Sequence, residues 1–114
     1  MKQYTTPEQT TKLIELGFRK PKSSVECELP KGDWRIGAVG IRKAYSIGEL
    51  IAMLPKEIEK YSWDFYSIDI YFDTFNWTVC YKNRNGQIAY QTSSIEDLVN
   101  ALFEMVVKLK EEGI

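Results

Sequence analysis

Asp64, Asp69 and Asp73 stand within ten positions and raise the question of a carboxylate site. Asp69 and Asp73 share one face of the expected strand, but four residues of strand separate them by about 13 Å. A glycosidase pair needs carboxyls about 5–9.5 Å apart, and one metal ion needs them closer still. Asp64 precedes the strand and approaches neither without a specific bend. The plainer role is a solvent-facing sheet surface that discourages edge pairing. Cys27 and Cys80 lie 53 positions apart, and neither belongs to a C-x-x-C pair. A nucleophilic thiol needs an activating base or cation beside it. The chain has no histidine, so Lys or a carboxylate would have to serve. Small buried hydrophobes are the favoured reading of both thiols. The missing histidines also remove triads, Cys–His dyads, imidazole zinc sites and haem ligation. The expectation is a chain that is not an enzyme and needs no cofactor and no metal.

Binding residues give more to weigh. Gly37-Ala38-Val39-Gly40, followed by Arg42 and Lys43, has the G-x-x-G form of a KH-type clamp. Apolar middle residues and the absence of a preceding helix favour a bulge or close backbone packing instead. A charge asymmetry carries further. Residues 1–60 hold eleven Lys and Arg against eight Asp and Glu, whereas residues 61–114 hold four against eight. Between Arg19 and Lys43, seven basic residues and Trp34 face three acidic ones. Trp34, Arg35, Arg42 and Lys43 are the candidate anion-binding residues, close to a capped helix start at Ser46. Arg42 and Lys43 both read as exposed. A pI near 5.5 opposes general nucleic-acid affinity, so nucleic acid is the less favoured partner.

From Tyr61 to Tyr81, nine of twenty-one residues are aromatic. One sheet face takes Tyr66, Phe72, Trp77 and Tyr81 into the core. Trp63, Phe65, Tyr71 and Phe75 are left as candidate protein-contact residues. The competing reading, of equal weight, is a second small core covered by residues 19–41. Contact with a protein partner, or self-association, is the leading functional expectation.

The elements that position these residues follow from caps and periodicity. Thr6-Pro7-Glu8-Gln9 is a capping box with Pro at the first helical position, and Gly17 sits where a left-handed cap is wanted. Val25, Cys27 and Leu29 alternate with Glu26 and Glu28, the period of a half-buried strand. Pro30 to Asp33 is turn chemistry, and Trp34 to Ile41 reads as an irregular strand or loop. Ser46-Ile47-Gly48-Glu49 opens a second helix, which Pro55 stops or kinks, with one further helical turn expected over 56–60 and Ile58 facing inward. Tyr66-Ile68-Ile70-Phe72, Trp77-Val79-Tyr81 and Ile88-Tyr90 form three alternating runs. Asn85-Gly86 predicts a tight hairpin, because both residues tolerate positive φ. Ser94 caps the last helix, whose stripe runs Ile95, Leu98, Val99, Leu102, Phe103, Val106, Leu109, with eighteen residues from Ile95 to Glu112. Its inner side should close on Ile68, Ile70, Val79 and Ile88.

The fold class is therefore α+β: a single domain over 1–114, with an antiparallel meander of three to five strands, a long C-terminal helix and two shorter helices packed on it. Met1 to Gln9 lacks the apolar h-region of a signal peptide, and no apolar stretch approaches the ~20 residues that span a bilayer. A soluble cytoplasmic protein with reduced thiols, away from the membrane, is expected.

Four stretches carry a resemblance: Thr6-Pro7-Glu8-Gln9 to Leu16-Gly17, Tyr45-Ser46-Ile47-Gly48-Glu49-Leu50 to Ile58, Trp77-Thr78-Val79-Cys80-Tyr81, and Asp97-Leu98-Val99-Asn100 to Met105. In these the chain resembles small uncharacterised proteins encoded by phages and integrated mobile elements of gut anaerobic bacteria. The resemblance implies a shared fold and a mobile-element setting, and no activity. Val25 to Ala44 shows the least likeness and is where a function specific to this chain would sit.

Overall fold

The computed structural model describes residues 3–28, 39–61, 64–95 and 97–114. Thr6 caps helix α1 (Pro7–Glu15): its hydroxyl accepts from the Gln9 amide, and the Gln9 side chain accepts from the Thr6 amide. Gly17, at φ +97°, ends the helix. It lets the Phe18 amide reach the Leu13 carbonyl and the Gly17 amide reach Ile14, which is a Schellman motif. Strands β1 (Ser23–Glu28) and β2 (Val39–Ala44) pair as a separate two-stranded antiparallel sheet. The turn expected at 30–33 lies outside the described residues, as does all but the end of the irregular stretch from Trp34 to Ile41.

Helix α2 (Ile47–Met53) carries the second capping box, closed by Ser46 and Glu49. It is followed by a correction to the expected extra helical turn. Pro55 disfavours helical geometry at the residue before it, and Leu54 is extended at φ −90°, ψ 133°. Residues 57–61 then form strand β3 (Glu57–Tyr61), with Ile58 buried opposite Tyr66. Strands β4 (Asp64–Asp73), β5 (Asn76–Lys82) and β6 (Ile88–Ser94) complete a four-stranded antiparallel sheet in the order β3-β4-β5-β6.

The hairpin at Asn85-Gly86 forms, with a different turn. Only Gly86 takes positive φ, +80°. The Asn83 amide donates to the Gln87 carbonyl and the Gly86 amide to Asn83, so three residues loop between them. The buried Asn83 side chain selects this geometry by accepting from the amides of Asn85 and Gln87. A register shift follows, with Tyr81 opposite Tyr90 but Lys82 opposite Ile88. Ile88 therefore joins the Lys82 face and is 47% exposed, not inside under the helix as expected.

Helix α3 (Leu98–Glu111) is capped by Asp97 rather than Ser94, and Ile95 lies before it, 78% exposed. It packs across β5 and β6 and against α2. Leu98, Val99, Ala101, Leu102, Met105, Val106 and Leu109 close on Tyr66, Val79 and Tyr81, while Phe103, Ile68 and Ile70 are half-buried around them. Leu13 of α1 and Leu50 of α2 complete this core, and Gln9 ties α1 to α3 by donating to Asn100 at 2.7 Å. The protein is α+β, with helices on a mainly antiparallel meander. Among the described residues, no helix is long and apolar enough to cross a membrane.

Candidate functional site

The carboxylates remain apart. Asp69 pairs with Lys82 at 3.7 Å, Asp64 accepts from Asn83 Nδ2 at 3.3 Å, and Asp73 accepts from the backbone amide of Thr74 at 2.7 Å. Among the described residues, no three His, Cys, Asp or Glu side chains gather as a metal would require. Cys80 is a buried free thiol in the middle of β5, and burial pushes its pKa up, the opposite of what a nucleophile needs.

Of the candidate anion-binding residues, Trp34 and Arg35 lie outside the described residues. Arg42 and Lys43 are neighbours on β2, so their side chains leave opposite faces. Arg42 is half-buried rather than exposed, because its Nη2 donates to the Thr5 carbonyl at 2.9 Å. Its Nη1 is enclosed and makes no hydrogen bond among the described residues. Lys43 is exposed and donates across the ladder to the Ser24 hydroxyl at 2.9 Å. The two cations do not converge on one anion.

The start of α2 is also taken. The Glu49 carboxylate accepts from the amides of Lys22 and Ser46, at 3.1 and 3.2 Å, and from the Ser23 hydroxyl. Burial pushes the pKa of this carboxyl up, but the hydrogen bonds from Ser23, Lys22 and Ser46 outweigh it and hold the group below the usual carboxylate value. The anion at this helix terminus is the chain's own.

The aromatic candidates spread out. Trp63 lies outside the described residues. Phe65 sits exposed near the start of β4 on its outer face. Tyr71 is half-buried beneath the Lys82 ammonium, 4.9 Å from its ring centre. Phe75 is 74% exposed in the β4–β5 turn. Phe65 and Phe75 are separated by about 30 Å of strand, so the described candidates do not make one patch.

A different apolar group forms at the β4–β5 turn. Phe72, expected inside, is 59% exposed. Its ring meets the edge of Trp77 with centroids 5.2 Å apart. Trp77 pairs with Ser94, which brings Ile95 to the same end of the sheet. The cause is where α3 lies. It covers β5 and β6, so along the inward side of β4 exposure rises from buried Tyr66, through half-buried Ile68 and Ile70, to Phe72. The alternation identified the inward residues of β4, but nothing in it says how far along the strand a helix reaches.

A concavity of about 680 Å³ opens on the outer face between Glu57, Asp64, Phe65, Ser67, Lys82 and Arg84. Its two carboxylates and two cations compensate each other, and Lys82 already serves Asp69 and Tyr71. The geometry defines an α+β protein with an exposed apolar end to its sheet. The chain matches no protein-family model, no curated protein and no solved structure.

Proposed function

We propose that the protein is a non-enzymatic accessory or modulatory protein of a phage or mobile element, acting through protein–protein contact. The observation that carries this reading is the apolar end of the sheet: Phe72, whose ring meets Trp77, Phe75 in the β4–β5 turn and Ile95 just beyond β6 are each more than half exposed. Large apolar side chains grouped in this way on a water-soluble surface are the anchors of interfaces. Scattered carboxylates and a buried, raised-pKa thiol support a binding role over a catalytic one. The mobile-element setting rests on the resemblance of the capping and strand motifs. The half of the chain that carries this surface, residues 61–114, has four basic against eight acidic residues. The fitting partner surface is an apolar anchor flanked by Lys and Arg.

The test uses the chain with Phe72, Phe75 and Ile95 all changed to Ser. Wild type should self-associate in sedimentation or hold a host protein in a pull-down, and the triple variant should lose that association. Its unfolding midpoint should stay close to wild type, since exposed substitutions cost within about 0.5 kcal/mol each. A folded triple variant that keeps the same associations would overturn the assignment to this surface.

A further inference from the structure

A second site lies elsewhere, on the connection between α1 and β1. A pocket of about 320 Å³ opens between this connection and α2. Phe18, Tyr45, Ala52 and Met53 give it apolar walls, and Arg19, Lys20 and Lys22 stand around it. The size falls at the lower end of the range for small-molecule sites, roughly 300–1,000 Å³. A second cleft of about 80 Å³ shares Phe18 and Met53 as walls and continues toward Leu54, Val106 and Leu109. Lys110 also lines this second cleft, its ammonium 5.5 Å from the Phe18 ring centre.

The Tyr45 hydroxyl and the Glu49 carboxylate of this pocket already have partners within the chain. The Tyr45 hydroxyl donates to the Arg19 carbonyl, so the phenol presents its ring. Glu49 is the one carboxylate in the lining, and it accepts from three donors of the chain. Those bonds keep it ionised, and the three cations around the pocket exceed it by two charges. Arg19, Lys20 and Lys22 are exposed, and their charged groups make no ion pair with any described carboxylate. A positive rim above an apolar channel selects a molecule with the opposite arrangement.

We infer that this pocket binds a small single-chain amphiphile bearing one carboxylate, with its head among Arg19, Lys20 and Lys22 and its apolar chain between Phe18 and Met53. The apolar walls supply contact area, and the rim supplies orientation and charge selection. Neither part draws on the apolar end of the sheet, so the two sites succeed or fail separately.

The test is a titration of the isotope-labelled full chain, read by amide NMR, with decanoate, decanol and decyltrimethylammonium as probes. Decanoate should move the amides of Phe18, Lys20, Tyr45 and Met53 saturably. Decanol should bind more weakly, and decyltrimethylammonium should leave these amides unmoved. Changing Lys20→Glu together with Lys22→Glu should weaken decanoate about five- to tenfold, the scale of partly exposed charge contacts. Ala52 is exposed on α2, so A52W fills the pocket mouth without touching the core, and it should abolish the shifts. The inference is overturned if decanol or the cation binds as well as decanoate, or if the shifts fall on Phe72, Phe75 and Ile95 instead. It is equally overturned if no saturable shift occurs up to about 5 mM decanoate, the weak limit of specific binding.

Discussion

The Tyr81 hydroxyl donates to the Pro55 carbonyl at 2.7 Å, joining the central strand of the sheet to the residue that ends α2. Tyr81 is fully buried, so this bond satisfies both the phenol and a carbonyl that Pro55 places outside any helix.

Replacing Tyr81 with Phe should therefore cost about 1–3 kcal/mol, because the Pro55 carbonyl loses its donor. The same residue sets an alkaline limit. Burial pushes its pKa up from 10.0 to about 12, which favours the protonated, neutral form in the folded state. Folded-state stability is then fully present below pH 10 and is lost as pH rises toward 12. Tyr45 is raised in the same direction, first by burial and then by Glu49 nearby. Urea titrations between pH 8 and 12 should show the fall, and Y81F should reduce its slope.

Glu49 sets an acid limit. Its carboxyl is held below the usual value, so its contribution is present above the unfolded pKa of about 4.3 and is lost as pH falls through the lower folded value. Glu49→Gln should cost about 1–2 kcal/mol at pH 7, since the cap and the tether to Ser23 lose charge-assisted bonds. Chemical denaturation from pH 7 to 3 should find wild type and variant converging in acid.

Leu102 is fully buried in the stripe of α3 that closes on the sheet. Leu102→Ala should cost about 2–5 kcal/mol, the range for a large-to-small change in a packed core. A loss below 1 kcal/mol in equilibrium unfolding would contradict this packing.

Arg42 and Lys43 should separate. Arg42→Ala removes the donor to Thr5, a residue that also holds Tyr45 by two hydrogen bonds, and should cost about 1–3 kcal/mol. Lys43→Ala should stay within about 0.5 kcal/mol. Had the two formed a joint anion site, neither change would affect thermal unfolding and both would weaken retention on heparin.

Both capping boxes, the Schellman glycine and the β5–β6 hairpin were legible in the residues alone. The physical reason is range: Thr6 with Gln9, Ser46 with Glu49, and Gly17 with Ile14 settle their geometry within a few positions. The alternation of β4 and β5 likewise shows which residues share a face, since the strand period is two. Other features needed contacts across the chain. Strand β3 exists because residues 57–61 find β4 after Pro55 has ended the helix, a choice no local propensity expresses. Ile88 points outward because one register shift, driven by Asn83 in the turn, changes its face. Phe72 is exposed because α3 lies over β5 and β6 and leaves the far part of β4 uncovered. Arg42 serves Thr5, and Glu49 serves Ser23 and Lys22, through partners 26 to 37 positions away. Residue types and spacing thus determined the three helices and the inward sides of β4 and β5. Only the packing of one element on another decided which charges were used up inside the chain and which apolar surfaces were left open.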